Sequence, residues 1–350
     1  MSNTLLPTRI SNTLFKRPLL TAMTTAIIAS IGVAGCSSPE SSGTETTETQ
    51  AENQTADSSS NVANNDAVSV ETITVDTARG DVDLAMNPSP LVVYDMTLMQ
   101  DLAALDVAVD GMPGKVQLDN LRSENQPEPQ GVGTVFEPDL EALNAMQPQA
   151  ILVGSRMAEK YDELSSIAPT LDMTVDTANI YESSKQRLHD LGALFGKSEE
   201  AAALQADIDG LIEETKAVTK DGGNGLVVMV NGNKMSVYGA ESRYGFIYNV
   251  AEIPIADDQI QDGRHGQPIS FEYLQKVNPD WLFVVDRSAA IGEESAGAQA
   301  VLDNPLVAQT TAWEQDQVVY LSPDSYLAFG GYYQWMQDLT TVRDAFTNAQ

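Results

Sequence analysis

A short pattern that occurs twice in the chain constrains its fold more than any other feature. Each copy, over residues 138–156 and 268–287, has a helix-like stretch, a proline, a run of apolar residues and an arginine. The arginines are Arg156 and Arg287, and each lies eight residues after the proline. Apolar runs of this length are typical of buried parallel strands. The repeat therefore predicts two α/β lobes, each with an arginine just past the carboxyl end of a strand.

The rest of the sequence from residue 71 onward agrees with an α/β fold. A hairpin is predicted over 72–84, further buried strands over 91–94 and 226–230, and helices over 96–105, 181–195 and 198–220. The helix over 198–220 starts with Ser198 and two glutamates, which favours helix initiation. Because this helix is long and central, we expect it to join the lobes, with a ligand cleft between them. The predicted domains are an N-terminal lobe (71–197), a connecting helix (198–220) and a C-terminal lobe (221–350).

The first 35 residues are predicted to be a lipoprotein signal peptide. They contain three bases and no acid, and their apolar stretch is short for a membrane-spanning helix. They end at Val33-Ala34-Gly35-Cys36, which resembles the lipobox of bacterial lipoproteins; that likeness implies cleavage before Cys36 and lipidation of its sulfur. A buried free cysteine is the alternative interpretation. The segment that follows the cysteine, up to residue 70, lacks aromatic residues, Leu, Ile and Met, so we expect a disordered tether above the membrane.

Charge and composition exclude several classes of protein. The formal net charge of −31 argues against nucleic-acid binding and against electrostatic docking on an anionic membrane. A single cysteine excludes a disulfide framework and a cysteine-ligated zinc or iron–sulfur site. Two histidines argue against a His-rich metal site. No nucleophile elbow, phosphate loop or metalloprotease motif is present.

Three arginines are candidate ligand-binding residues. Ligands of open α/β sheets bind beyond the carboxyl ends of strands, so two facing lobes would direct Arg156 and Arg287 into one cleft. Arg243 follows another predicted strand, over 234–238, and precedes a helix. Three guanidinium groups together suit a ligand with several anionic oxygens. The alternative for each is an exposed or salt-bridged surface arginine.

Two further residues have side chains that suit Fe(III). His265 lies in a glycine-rich polar loop, and Tyr326 is predicted in a loop before a helix. A phenolate oxygen and a neutral imidazole are both good ligands for iron. Ordinary surface positions are the alternative for both. The other histidine, His189, lies between leucines on a predicted helix, and we expect it to pack in the core.

Taken together, these features resemble a known family. The matching motifs over residues 71–350 are Gly131-Val132-Gly133-Thr134 with Glu137-Pro138-Asp139, Gly154-Ser155-Arg156, Ser242-Arg243-Tyr244-Gly245, His265-Gly266, Val285-Asp286-Arg287, and Tyr326-Leu327 before Gly330-Gly331. In this order and spacing they are similar to the siderophore-binding lipoproteins of bacterial ABC importers, in the group of the enterochelin-uptake binding protein, which are class III substrate-binding proteins.

The resemblance carries specific expectations about function. It implies two lobes that move little on binding, with Arg156, Arg243 and Arg287 bound to the catecholate oxygens of a ferric siderophore. His265 and Tyr326 would complete the iron shell when the siderophore supplies only four donors. It also implies a periplasmic or cell-envelope monomer, anchored through lipidated Cys36, that has no cofactor of its own and delivers its ligand to an ABC permease. Glu137 and Glu272 are candidate contacts with that permease.

Other functions remain open on the sequence alone. The cargo of such a binding protein would otherwise be cobalamin, haem or a hydroxamate siderophore, which are less anionic and do not call for three arginines. A secreted hydrolase is a different class, which the missing nucleophile motif disfavours. The alternative that the protein is a purely adhesive surface lipoprotein would not predict paired arginines in a cleft.

Overall fold

The computed structural model describes residues 71–261 and 263–349, which belong to one compact unit. The predicted signal peptide (1–35) and the predicted lipidated Cys36 with its tether (36–70) lie outside the described residues. Within the part of the chain that is described, no helix has the length and apolar character needed to cross a membrane.

The strands of the described residues form one hairpin and two five-stranded sheets. The hairpin consists of β1 (Thr72–Val75) and β2 (Val82–Ala85). The first sheet contains β3 (Leu91–Val93), β4 (Gly111–Met112), β5 (Gln130–Gly131), β6 (Ala150–Val153) and β7 (Thr170–Asp172). The second sheet contains β8 (Gly225–Asn231), β9 (Lys234–Tyr238), β10 (Gln267–Ile269), β11 (Trp281–Asp286) and β12 (Val318–Tyr320).

Helices connect most of these strands. They are α1 (Met96–Ala104), α2 (Leu140–Met146), α3 (Tyr161–Ser165), α4 (Ile180–Leu194), α5 (Ser198–Thr219), α6 (Phe246–Asn249), α7 (Phe271–Val277), α8 (Arg287–Ala290), α9 (Gly297–Leu302), α10 (Thr311–Glu314), α11 (Asp324–Leu327) and α12 (Tyr332–Ala349), with three short 3₁₀ turns at Ala158–Lys160, Thr177–Asn179 and Val307–Gln309. The predicted hairpin and the predicted helices over 96–105, 181–195 and 198–220 are confirmed within one or two residues.

The first sheet is parallel throughout and is covered on both faces. Its strand order is β5-β4-β3-β6-β7. Val93 and Leu152 belong to one buried cluster with helix α1, whereas Val92 and Ile151 belong to another on the opposite face. Successive side chains of a strand point to opposite faces, so strands covered on both sides need continuous apolar runs. This explains why β3 and β6 are apolar at every position.

The second sheet is mixed, with strand order β10-β9-β8-β11-β12. Strands β8, β11 and β12 run parallel, whereas β9 returns antiparallel beside β8, and β10 pairs antiparallel with β9. The hairpin register sets Asn231 opposite Lys234 and Met229 opposite Ser236. The predicted α/β class with two lobes is confirmed, and both sheets carry helices of their own.

The sequence repeat is a structural repeat. Helices α2 and α7 each have seven residues and end in a left-handed residue, Gln147 with φ of 52° and Asn278 with φ of 50°. Each is followed by a proline and then by a buried strand, β6 or β11. Leu143 and Leu274 are buried at equivalent positions of the two helices. In both copies the chain therefore leaves the buried strand at an equivalent point, and Arg156 and Arg287 occupy equivalent positions just beyond it.

Two long helices connect the lobes. As predicted, α5 leads from the first sheet to the second, and it packs against α4 and α12. The C-terminal helix α12 also contacts α1 of the first lobe, and its Trp335 donates through Nε1 to Ser184 Oγ of α4 at 3.2 Å. The expected boundaries at 197/198 and 220/221 remain a prediction, because α12 packs against both lobes.

Candidate functional site

A cleft of about 970 Å³ lies between the lobes, at the end of the sheets where Arg156 and Arg287 follow their strands. We call it the interlobe cleft. All five residues singled out from the sequence line it: Arg156, Arg243, His265, Arg287 and Tyr326. Arg156 comes from the first lobe and the other four from the second. The structure thus brings the five together, whereas their roles toward a ligand stay predictions.

Arg156 spans the cleft in addition to lining it. It follows β6, and its Nη1 and Nη2 donate to the main-chain oxygens of Leu327 and Tyr326, at 3.0 and 2.9 Å. Burial lowers the pKa of Arg156, an effect that the negative charge of Asp95 partly offsets. An arginine remains protonated under such conditions. Arg156 therefore ties the first lobe to the segment that carries Tyr326, a contact that the sequence did not indicate.

Arg287 is the first residue of α8, immediately after β11. Its Nε donates to the Tyr326 hydroxyl at 2.8 Å, and its Nη1 donates to Asn231 Oδ1 at 3.0 Å. The carboxylate of Glu293 lies 3.7 Å from Nη1, beyond hydrogen-bonding distance. The guanidinium is thus held in one orientation mainly by neutral oxygens.

Arg243 lies in the loop between β9 and α6. Its Nη2 donates to the main-chain oxygen of Arg264 at 3.1 Å. Its guanidinium lies over the rings of Phe329 and Tyr326, with centroid distances of 5.1 and 5.7 Å. Such cation–π contacts orient the cation and leave its charge in place. The loop turns sharply at Gly245, where a Cβ atom would overlap the carbonyl of Ala240.

Tyr326 lies in the one-turn helix α11, so the predicted loop at this position is wrong. The helix forms because the segment is anchored by Asp338, which accepts from Ser322 N, Gln334 Nε2 and Ser325 Oγ. Burial raises the pKa of Asp338. The Tyr326 ring lies close to two guanidiniums, with Arg287 5.5 Å from its centroid.

His265 is exposed at the mouth of the interlobe cleft. It lies in the loop that leads into β10. The next residue, Gly266, has φ of 67°, and a Cβ there would approach the Val237 oxygen to 2.7 Å. Only glycine fits this approach without strain. The glycine thus lets the loop fold close onto β9 and brings His265 to the cleft.

The cleft is a positive region on a strongly acidic protein. The guanidiniums of Arg156, Arg243 and Arg287 are hydrogen-bonded to carbonyl, amide and phenol oxygens, which do not neutralise their charge. Tyr238 also lines the cleft, and burial raises its pKa to about 12, so it adds no negative charge at neutral pH. Glu241 is the acidic residue among those that line the cleft. The arrangement suits an anionic ligand that is rich in oxygen.

Phe136, Lys234 and Arg264 are among the cleft-lining residues that sequence reasoning missed. Phe136 is 64% exposed, on a first-lobe loop whose main-chain N–H groups are held by Thr134 Oγ1. Lys234, Ser236 and Tyr238 alternate with apolar residues along β9, and this alternation is the sequence signal that could have placed Lys234 on a polar face of the strand. Arg264 stands beside His265 in the motif that we did single out.

The expectation for His189 is wrong. Its side chain is 71% exposed, and its Nδ1 lies 3.1 Å from the carboxylate of Asp190. The leucines beside it fill the core through the other face of α4. Within residues 71–261 and 263–349, no group of three or more His, Cys, Asp or Glu side chains is arranged to hold a metal ion.

Comparison with known proteins agrees with this geometry. Residues 91–325 match the model of the periplasmic binding protein family. The chain belongs to this family. It is 38% identical to the petrobactin-binding protein YclQ of Bacillus subtilis, covering 74% of this chain and 82% of YclQ, and 32% identical to the ferric-anguibactin-binding protein FatB of Vibrio anguillarum, covering 73% and 81%.

Solved structures of periplasmic binding proteins have the same fold. The crystal structure of YclQ superposes with a TM-score of 0.74 at 35% identity and covers 79% of this chain and 99% of its own. The siderophore-binding protein BauB, solved with two acinetobactin molecules and ferric iron, gives a TM-score of 0.71 at 30% identity, with coverage of 79% and 99%. The predicted family and the two-lobed fold are therefore confirmed. Members of this family are solute-binding proteins, which also confirms that the chain is not an enzyme.

Proposed function

We propose that this periplasmic binding protein captures a ferric siderophore with catecholate-type donors and delivers it to an ABC permease for iron uptake. The observation that carries the proposal is the presence of three guanidiniums in one cleft, two of them beside the Tyr326 ring and the third bonded to the main-chain oxygen of Tyr326. Catecholate oxygens remain partly negative when they bind iron, and guanidiniums donate strong charge-assisted hydrogen bonds to such oxygens. Arg156, Arg243 and Arg287 are the proposed ligand-binding residues.

The neutral anchoring of the arginines favours such a ligand. A guanidinium that already faces a carboxylate would have to exchange one anion for another, with little gain. Here the partners are mainly carbonyl, amide and phenol oxygens. Because these bonds also fix the side chains before the ligand arrives, less entropy is lost on binding.

His265 and Tyr326 are the proposed protein ligands to iron. A tetradentate siderophore leaves two of the six coordination positions of Fe(III) open, and a phenolate with an imidazole is suited to fill them. The Tyr326 oxygen accepts one hydrogen bond from Arg287 and has a further lone pair for the metal.

The relatives support a ferric siderophore as the ligand class. YclQ is named for petrobactin and FatB for ferric anguibactin, and BauB was solved with ferric acinetobactin. Cobalamin, haem and hydroxamate siderophores are less anionic, so they would leave several cleft cations without a partner.

A titration of the mature protein, followed by tryptophan fluorescence, tests this function. A ferric bis-catecholate should bind with a submicromolar Kd, whereas cobalamin, haem and a ferric hydroxamate should bind much more weakly. Trp335 belongs to the buried cluster against which the cleft-lining residues Tyr326 and Phe329 pack, so its emission should respond to binding. A stronger response to another cargo, or none to the catecholate, contradicts the proposed ligand and leaves the binding-protein fold in place.

We also propose that the protein is a monomer anchored in the cell envelope through lipidated Cys36, and that Glu137 and Glu272, exposed on different lobes, contact the permease. Metabolic labelling with palmitate should mark the wild-type protein and not Cys36→Ala, because the lipid would be attached to the sulfur of this residue. Immunoprecipitation of both proteins gives the result, and size exclusion of residues 71–350 gives the oligomeric state. Equal labelling of the Cys36→Ala protein would contradict the anchor.

A further inference from the structure

Phe136 is the most exposed large hydrophobic side chain of the described residues, with 64% of its surface accessible. It lines the interlobe cleft from the first lobe. Within residues 71–261 and 263–349, no other aromatic ring packs against it. Water contact is unfavourable for an apolar ring, and ligand clefts are commonly lined by such rings. The ring is therefore available to pack against a ligand.

The chain holds Phe136 at the tip of a tight turn over residues 133–138. The two ends of the turn form an antiparallel bridge, and Thr134 N donates to the main-chain oxygen of Glu137 at 2.8 Å. Thr134 Oγ1 accepts from the main-chain N–H groups of Phe136 and Glu137, at 3.3 and 3.0 Å. Gly133 has φ of 112°, and a Cβ atom there would overlap the Glu137 oxygen. Because the turn is fixed in this way, little backbone entropy is lost when a ligand contacts the ring.

The preceding residue, Val135, places the turn beside the segment that carries the proposed iron ligand. Val135 packs against a buried cluster that contains Leu327 and Ala328, and Tyr326 packs against the same cluster. Phe136 and Tyr326 also line the same cavity. The tip of the turn thus faces the part of the interlobe cleft where the iron complex is proposed to bind.

The oxygens and the ring of a catecholate need different partners. Guanidiniums bind the oxygen edge, whereas the face of the ring is apolar and gains from contact with another aromatic ring. Two rings of the second lobe, those of Tyr326 and Phe329, already face the Arg243 guanidinium. Apart from Arg156 and Phe136, the first lobe lines the cleft with smaller neutral side chains, which are Ser155, Thr174, Val175, Thr177 and Ala178. Phe136 is thus the aromatic surface that the first lobe offers to a ligand.

We infer that the Phe136 ring packs against a catechol ring of the bound ferric siderophore and selects ligands whose donor groups are aromatic. This inference rests on the proposed function and adds a specificity residue to it. The contact involves no charge on the protein side. Its contribution to affinity therefore does not fall as salt is added, unlike that of the arginines.

Two substitutions of Phe136 separate the ring from its apolar bulk. Phe136→Leu keeps an apolar side chain and removes the ring, so the Kd of a ferric bis-catecholate should rise about two- to tenfold, the usual effect of losing an aromatic pair. Phe136→Tyr keeps the ring and should leave the Kd unchanged. Tyr320→Leu is the matched control, because Tyr320 is an exposed aromatic residue on β12 that lies outside the cleft lining. It should leave the Kd unchanged as well.

Nuclear Overhauser effects give a second measurement. In the diamagnetic Ga(III) complex of the same bis-catecholate, the Phe136 ring protons should show cross-peaks to the catechol ring protons, and these signals should be lost in Phe136→Leu. An unchanged Kd in Phe136→Leu, an equal loss in Phe136→Tyr, or no such cross-peak in the saturated complex would overturn the ring contact while the proposed function stands. Wild-type affinity combined with reduced iron uptake by cells carrying Phe136→Leu would also overturn it and would place Phe136 at the permease. Failure of the wild-type protein to bind the ferric complex would overturn both the contact and the proposed function.

Discussion

Replacing Arg287 with alanine should weaken binding of a ferric bis-catecholate by about 1.5–3 kcal/mol, or roughly ten- to 150-fold in Kd. The guanidinium is fixed by Tyr326 and Asn231, at 2.8 and 3.0 Å, and its charge is not neutralised by a hydrogen-bonded carboxylate. The variant removes a charged donor and also the partner that orients the Tyr326 hydroxyl. Fluorescence titration of the two proteins gives the ratio of Kd values.

Tyr326→Phe separates the iron-ligand role from the charge role. The substitution keeps the ring near Arg243 and Arg287 and removes only the oxygen. We expect Arg287→Ala to weaken tetradentate and hexadentate ferric catecholates alike, and Tyr326→Phe to weaken only the tetradentate complex.

Arg343→Ala is the control for arginine removal, because Arg343 pairs with Glu214 and Asp344 on the protein surface, and Arg343 is not among the residues that line the cleft. Unchanged affinity of Arg287→Ala would contradict the arginine-cleft function. Equal losses for both ligands in Tyr326→Phe would contradict direct ligation of iron.

The sequence was sufficient to predict the arginines because their positions depend on local structure. A helix, a proline and a buried strand determine where the chain emerges, and the two copies emerge at equivalent points, so Arg156 and Arg287 follow from the repeat. Arg243 is an exception, because β9 runs antiparallel to β8 and its last residue, Tyr238, pairs with Val227 near the start of β8 and not with Asn231 at its end. The α/β class follows from apolar runs that only a doubly covered strand requires.

Contacts between distant segments were not predictable in this way. Arg156 binds the main chain of residues 326 and 327, and α12 packs against both lobes, but neither contact leaves a periodic trace in the sequence. The exposure of His189 shows the same limit, since a histidine between leucines turns outward when the leucines share one face of the helix. Predicting that Lys234 lines the cleft would have required knowing which face of β9 meets the cleft.

A buried ion pair holds the segment after Tyr326 to the first lobe. Arg187 of α4 donates through Nη2 to the main-chain oxygen of Gly330 at 2.8 Å and lies 3.3 Å from Asp101 Oδ2 of α1. Asp101 Oδ1 accepts from Tyr332 N at 2.9 Å. Both charged side chains are almost fully buried, with exposures of 6% and 2%. Removal of one partner therefore leaves the other charge without compensation.

Arg187→Ala should lower the free energy of unfolding by about 3–5 kcal/mol, the usual effect of breaking a buried pair from one side. Urea denaturation of wild-type protein and the variant measures the difference. Arg343→Ala, which breaks an exposed pair, should cost no more than about 1 kcal/mol.

Adding Asp101→Asn to Arg187→Ala should restore part of the loss, because the amide has no charge and its oxygen still accepts from Tyr332 N. The two substitutions would then be non-additive, as expected for residues that share one interaction. If Arg187→Ala is as mild as the Arg343→Ala control, or if the double variant is less stable than the sum of the single ones, the pair does not secure this segment. The Tyr326 segment would then depend on its other contacts, among them those of Arg156, Asp338 and Gln100, and the affinity for iron complexes would be unaffected by Arg187→Ala.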